Sequence, residues 1–188
     1  MHIALREWQR TSLLTDALLV VAGSLFVAAL AQVSLPLPFT PVPITGQSFA
    51  VLLVGAVLGA RRGATSLALY LLEGSLGLPV FANGTSGWAR LLGPTGGYLI
   101  GFVAAAWIVG YLTERGLSRH WYMLLLTFLA GEAAIYLLGV PWLALFIGAD
   151  RALIGGLYPF LPGDALKALL AAIVLPSVRT AVRYWGSE

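Results

Sequence analysis

Long apolar segments with few charges constrain this chain more than any other feature of its sequence. Of the 188 residues, 59% are hydrophobic and 10% are charged, whereas soluble domains carry about 25% charged residues. Several of these segments approach the length of about 20 residues that a helix needs to cross a bilayer. The sequence therefore predicts an all-α integral membrane protein in the lipid bilayer, with residues 1–188 in a single transmembrane domain.

The turn signals between the apolar segments divide them into six predicted transmembrane helices. A charge-free segment, 32–46, contains four prolines, which block helix and sheet and favour a stiff extended connection. A charged turn at 61–63 separates two shorter apolar runs. The predicted helices span residues 13–31, 47–60, 64–76, 96–112, 121–139 and 164–181.

The distribution of arginines predicts the orientation of these helices. Six helices leave both termini on one side, and cytoplasmic segments carry the excess of basic residues. Only Arg90 and Arg151 fall on the side opposite the termini. We therefore expect cytoplasmic termini and structured extracytoplasmic loops. The arginines on the terminal side are Arg6, Arg10, Arg61, Arg62, Arg115, Arg119, Arg179 and Arg183.

The segment 77–98 is too rich in glycine and proline for a helix, with six glycines and two prolines. It also carries aromatic and polar side chains, which predicts a structured non-helical lid or pocket wall. The amide of Asn83 suits a planar amide or urea, although an Asn-Gly turn explains it equally well. Trp88 and Tyr98 can stack on an apolar ring or anchor at the interface. Arg90 can meet an anion or lie among headgroups.

Asp164 and Lys167 lie three positions apart, so they share one face of the last helix. They form either a helix cap with an outward-reaching lysine or a ligand-binding pair on the side of the structured loops. Gln47 is likewise either a helix-entrance residue or a ligand contact. Glu73 and Glu132 are carboxylates at membrane depth, which need water, a partner or a proton. The sequence does not assign their roles.

Small residues spaced four apart mark faces on which helices can approach closely. Ser24 and Ala28 form such a face on the first helix, for either internal packing or an external partner. Glycine pairs at 55/59 and 97/101 favour internal packing.

Several classes of function lack the residues they need. The chain has no cysteine, and His2 and His120 lie outside the apolar runs, so neither a metal site nor a bound cofactor is predicted. No P-loop motif is present, so the chain is not expected to be a P-loop ATPase. No nucleophile–base pair and no set of His or Cys metal ligands is evident, so no other enzyme is expected. The net charge of +3 reflects topology, and no nucleic-acid partner is expected.

Six ordered motifs together resemble the BioY family, the biotin-specific substrate-binding subunits (S components) of energy-coupling factor (ECF) transporters. The resemblance covers roughly residues 13–183. The motifs are PLPFTPVPITGQ (36–47), LGARRG (58–63), YLLEGSLGLPVFANG (70–84), LLGPTGGYLIGF (91–102), IYLLGVPW (135–142) and PFLPGDALK (159–167).

This resemblance implies biotin binding and uptake across the cell membrane of a prokaryote by a multi-pass protein. It also implies a transmembrane coupling protein and two ABC ATPase subunits as partners. Asn83, Asp164 and Lys167 match the ligand-binding motifs of the family, and Tyr98 lies in its GPTGGY motif. Asp164 and Asn83 would bind the ureido ring, while Lys167 would serve the carboxylate or hold Asp164 in place. The family docks its coupling protein through Ala-xxx-Ala on the first helix, where this chain has Ser24-xxx-Ala28.

Three other functions remain alternatives at this stage. An intramembrane enzyme would use Glu73, Glu132 or Asp164, but no nucleophile–base pair accompanies them. A stand-alone ion-coupled carrier would use Glu132 to take up a proton. An S component for another solute is the third, and His2 is similar to the N-terminal histidine of nickel and cobalt subunits, with no second buried histidine to support it.

Overall fold

A computed structural model describes residues 12–117 and 121–185 of the chain. Within these ranges the backbone forms seven α-helices, one short hairpin and two tight helical turns. Four helical segments are long and apolar enough to cross a membrane: Leu13–Ala31, Gln47–Ser75, Gly96–Leu117 and Trp121–Ile147. The elements are α1 (Leu13–Ala31), β1 (Ser34–Leu35), β2 (Ile44–Thr45), α2 (Gln47–Ser75), a 3-10 turn (Ala82–Gly84), α3 (Trp88–Leu92), α4 (Gly96–Leu112), a π turn (Thr113–Leu117), α5 (Trp121–Ile147), α6 (Ala149–Gly156) and α7 (Leu161–Trp185).

The start of α1 is stabilised by a cap and an ion pair. The Ser12 hydroxyl accepts a hydrogen bond from the Thr15 amide at 3.2 Å, which satisfies one of the free amides of the first turn. Asp16 lies in that turn, where a carboxylate suits the positive end of the helix dipole. Its carboxylate also lies 2.6 Å from the Arg62 guanidinium, which joins α1 to the second half of α2.

Helix α2 folds back on itself at Gly59. This glycine has φ 83°, a conformation that glycine adopts without the steric cost of a Cβ. The break frees the amide of Ala60, which donates to the Glu114 carboxylate at 2.9 Å. Gln47 donates to the Tyr70 hydroxyl at 2.7 Å, so residues 47–58 and 60–75 run side by side. The predicted turn at 61–63 is therefore wrong, because the single left-handed glycine makes the reversal and 61–63 already belong to the returning helix.

Two helix boundaries also differ from the predictions. Helix α5 does not end at Gly139 but continues through Pro141 to Ile147. A transmembrane helix tolerates the lost amide when neighbouring groups satisfy the freed backbone. Helix α7 spans 161–185 rather than 164–181, because Pro162 fits the first turn of a helix, where its missing amide is not needed.

The connecting segments 32–46 and 77–98 contain more regular structure than their composition indicates. Strands β1 and β2 pair antiparallel, with Ser34 opposite Thr45 and Leu35 opposite Ile44. All four prolines of the segment 32–46 lie between the two strands, where no amide is needed for pairing. The prediction that the segment contains no sheet is therefore wrong at its two ends. The segment 77–98 contains α3, so it is not wholly non-helical.

Small residues allow α2, α4 and α5 to pack closely. A Cβ at Gly55 would lie 2.6 Å from the Ala106 carbonyl oxygen, and a Cβ at Gly101 would lie 2.9 Å from the Ile135 Cα. Helix α1 packs against α2, and α7 packs against both α2 and α5. The glycine pairs therefore serve internal packing. Helices α2, α4 and α7 begin at one end of the molecule, beside a cavity.

Candidate solute-binding site

A cavity of about 630 Å³, measured with its opening, lies where α2, α4 and α7 begin. Pockets that hold small molecules combine apolar walls with a few polar groups. The middle of α5 forms one wall, and the loop segments around β2 and 81–95 contribute to others. The lining residues are Val42, Pro43, Thr45, Gln47, Ser48, Phe81, Ala82, Arg90, Thr95, Tyr98, Leu99, Phe102, Glu132, Ile135, Tyr136, Phe160, Asp164 and Lys167.

Asp164 is the centre of a hydrogen-bonded cluster in this cavity. One carboxylate oxygen accepts from the Lys167 ammonium at 2.8 Å and from the Ser48 hydroxyl at 3.2 Å. The other oxygen accepts from the Tyr136 hydroxyl. Lys167 also donates to the Ser48 hydroxyl at 3.1 Å. Lys167 therefore holds Asp164 in place, which was one of its two predicted roles.

Gln47 and Arg90 also line the cavity, and a ligand contact by either residue stays a prediction. The Gln47 side chain is buried and donates to Tyr70, whose hydroxyl donates in turn to the Val80 carbonyl at 3.1 Å. This chain joins the two halves of α2 to the loop after it. Arg90 forms no ion pair with any carboxylate in the described part of the chain. Its guanidinium charge is thus available to an anion.

Tyr98 lines the cavity with its ring, while its hydroxyl donates to the Gly156 carbonyl at 2.8 Å. Its ring packs edge-on against that of Tyr136, with centroids 6.5 Å apart. The hydroxyl therefore connects α4 to α6, and the ring remains the part that faces the cavity.

Asn83 and Trp88 do not line the cavity. Asn83 is exposed and has φ 59° and ψ 33° in the 3-10 turn, so its backbone adopts the left-handed conformation that Asn tolerates. Trp88 is 57% exposed at the start of α3. The geometry of Asn83 agrees with the turn interpretation, and a ligand contact by either residue stays a prediction.

Glu132 occupies the wall formed by α5. It is only 4% exposed, and neither carboxylate oxygen has a hydrogen-bond partner among the described residues. Such groups are rare in folded proteins because an unpaired buried polar group is costly. Glu132 therefore differs from Asp164, whose carboxylate accepts three hydrogen bonds.

Ser24 and Ala28, the predicted docking residues, lie on the inner face of α1. Ser24 has no exposed surface, Ala28 is 8% exposed, and the Ser24 hydroxyl donates to the Glu73 carboxylate at 2.5 Å. This bond gives Glu73 a partner at membrane depth. Their small size serves the packing of α1 on α2, so a partner protein cannot reach them while α1 stays in this position.

Sequence reasoning missed Ser48 and Tyr136 as members of the site. Tyr136 lies one helical turn after Glu132, so the i, i+4 spacing on α5 was a signal that places both on one face. Ser48 follows Gln47 at the start of α2 and contacts residues more than 100 positions away. No local pattern predicts that contact.

The fold and the cavity are those of a helical membrane protein with a cavity lined by polar and apolar groups. The profile of the BioY family matches residues 5–184. The chain therefore belongs to the BioY family, in agreement with the resemblance read from its motifs.

Several relatives and one solved structure support this membership. A probable biotin transporter BioY of Pyrococcus horikoshii is 45% identical over 80% of this chain and 90% of its own length. The biotin transporter BioY of Thermotoga maritima is 40% identical over 83% of this chain and 92% of its own length. That of Rhizobium etli is 38% identical over 82% of this chain and 89% of its own length. The crystal structure of an S-component for biotin from an ECF-type ABC transporter matches with a TM-score of 0.80 and 29% identity, over 89% of this chain and 92% of that one. The family is one of transporters, not of enzymes.

Proposed function

We propose that this chain binds biotin in the cavity and serves as the substrate-specific subunit of an ECF-type ABC transporter. The observation that carries the proposal is the cavity, in which aromatic and aliphatic walls enclose a small set of charged and amide groups. Biotin needs this combination, because it has a fused ureido and sulfur ring system and a valerate carboxylate. Relatives named as biotin transporters cover most of the chain and support the choice of solute.

In this proposal the two polar ends of biotin meet different groups. Arg90 binds the carboxylate, because this residue lines the cavity and forms no ion pair in residues 12–117 and 121–185. The cluster of Asp164, Lys167 and Ser48 faces the ring system, and the rings of Tyr98 and Phe102 cover it.

The proposed topology has six spans, with both termini in the cytoplasm of a prokaryote. The reversal at Gly59 supports this count, because it divides the single segment Gln47–Ser75 into two antiparallel helices. Arg61, Arg62 and Arg115 lie at the end of the bundle opposite the cavity, as the orientation requires. Arg6, Arg10 and Arg119 lie outside the described residues. The cavity then opens toward the outside.

Titration of the purified protein with biotin in detergent tests the binding proposal. Wild-type protein should bind biotin, and Arg90→Ala should weaken binding by roughly tenfold or more, because a charged hydrogen bond is lost. Asp164→Asn should also weaken binding, because it disturbs the cluster with Lys167, Ser48 and Tyr136. Arg151→Ala is the control, because Arg151 is exposed and does not line the cavity. Wild-type protein that binds nickel but not biotin would instead support the alternative of an S component for a metal ion.

Uptake measurements separate an ECF subunit from a stand-alone carrier. Cells that express this chain with a coupling protein and two ATPase subunits should accumulate biotin faster than cells that express it alone. Uptake by the chain alone that disappears when the proton gradient collapses would favour the ion-coupled carrier. The partners proposed here are thus a transmembrane coupling protein, two ATPases and the lipid bilayer.

A further inference from the structure

Glu132 is the one buried carboxylate of the described chain whose oxygens both lack a hydrogen-bond partner. It lies on α5 and lines the same cavity as Asp164, Lys167 and Tyr136. A carboxylate at membrane depth is rare and is usually paired or functional. The missing partner therefore points to a ligand group that occupies this position.

Asp164 has little remaining capacity to accept hydrogen bonds. A carboxylate has about four acceptor sites, and Asp164 already receives three donors, from Lys167, Ser48 and Tyr136. Glu132 has all four of its acceptor sites unused within the described residues. A solute that brings N–H groups into the cavity would find its acceptor at Glu132 more readily than at Asp164.

We propose that Glu132 accepts the ureido N–H groups of bound biotin and is a specificity-determining residue of this cavity. This inference rests on the proposed function. It changes the assignment made from the sequence, in which Asp164 and Asn83 bind the ureido ring. Asp164 instead acts as a positioning residue that fixes Lys167, Ser48 and Tyr136 around the ring system.

Two variants separate a ligand contact from a structural role. Glu132→Leu removes both acceptors and should weaken biotin binding at least about tenfold. Glu132→Gln keeps the volume and one acceptor and should weaken binding less. The ligand-free Glu132→Leu protein should melt at the same temperature as wild type or higher, since it no longer buries an unpaired polar group. Thr127→Val is the matched control, because Thr127 is buried on the same helix but does not line the cavity.

Biotinamide, which lacks the carboxylate but keeps the ureido ring, locates the contact. The loss caused by Glu132→Leu should be the same factor for biotin and biotinamide. A loss for biotin alone would place Glu132 at the carboxylate end and overturn the inference. The inference would also be overturned if Glu132→Leu and Glu132→Gln lost the same factor in affinity and both melted at a lower temperature than wild type. That result would indicate a structural role.

The proposed function can fail separately from this inference. Wild-type protein that does not bind biotin overturns both. Wild-type protein that binds biotin, together with a Glu132→Leu variant of unchanged affinity, overturns only the role of Glu132.

Discussion

Replacement of Lys167 by methionine tests whether the ion pair with Asp164 stabilises the end of the bundle that forms the cavity. Methionine keeps most of the length of the lysine stem and removes the charge. The Lys167 ammonium lies 2.8 Å from the Asp164 carboxylate, and the side chains are 19% and 9% exposed. Its loss would leave Asp164 with only two neutral donors, Ser48 and Tyr136.

The expected destabilisation follows from the geometry of the pair. At 2.8 Å and an effective dielectric constant of about 20, the gross attraction is about 6 kcal/mol, which the cost of desolvating both groups largely offsets. Removal of one partner of a buried pair costs about 3–5 kcal/mol. The two remaining donors of Asp164 favour the lower end, about 3 kcal/mol. On the scale of soluble domains of this size, that lowers the melting temperature by roughly 6–12 °C.

Thermal melting of the purified, ligand-free protein in detergent measures this effect. Leu166→Met is the control, because Leu166 is the neighbouring residue and is 57% exposed. The double variant Asp164→Asn/Lys167→Met should melt closer to wild type than Lys167→Met does, since no charge is left unpaired. A single variant that melts with the control, or a double variant less stable than the single one, would refute the reasoning.

Substitutions at three further positions, with one glycine control, test other elements of the fold. Gln32→Ala should speed amide exchange at Gly84, because the Gln32 side chain accepts from that amide at 3.0 Å and also contacts the Val80 and Phe81 carbonyls; unchanged exchange would show that this contact does not hold the loop. Gly59→Ala should lower the melting temperature, since φ is 83° there and a side chain at positive φ costs about 1 kcal/mol or more. Gly163→Ala is the control and should not lower the melting temperature, because a Cβ there meets nothing within 4 Å. Asn83→Gly should keep biotin affinity if Asn83 only makes the turn; a loss with Gly equal to that with Ala would establish a ligand contact.

Much of the helical architecture was predictable because it depends on local patterns. The ends of α1 and α4 follow from apolar runs bounded by polar or glycine-containing turns, and the structure has these helices at the predicted residues. The extensions of α5 and α7 were not predictable in the same way. Proline at 141 normally ends a helix, and only the surrounding helices show whether its missing amide can be tolerated.

The candidate site was predictable in part. Charged and amide residues in apolar surroundings are conspicuous, so Gln47, Arg90, Asp164 and Lys167 stood out, and all four line the cavity. The depth of Glu132 was also evident. The sequence did not show that Asp164 accepts several hydrogen bonds while Glu132 accepts none among the described residues, because Ser48 and Tyr136 reach Asp164 from other helices.

The sequence by itself determined that the chain is a helical membrane protein, since its hydropathy leaves no other way to satisfy the backbone in lipid. Its motifs also indicated the BioY family. Only the tertiary structure decided what each polar residue does. It turned Ser24 inward toward Glu73, placed Asn83 in an exposed turn and left Glu132 beside the cavity with no hydrogen-bond partner among the described residues. These roles depend on contacts between residues far apart in the chain, which the order of residues along one helix does not encode.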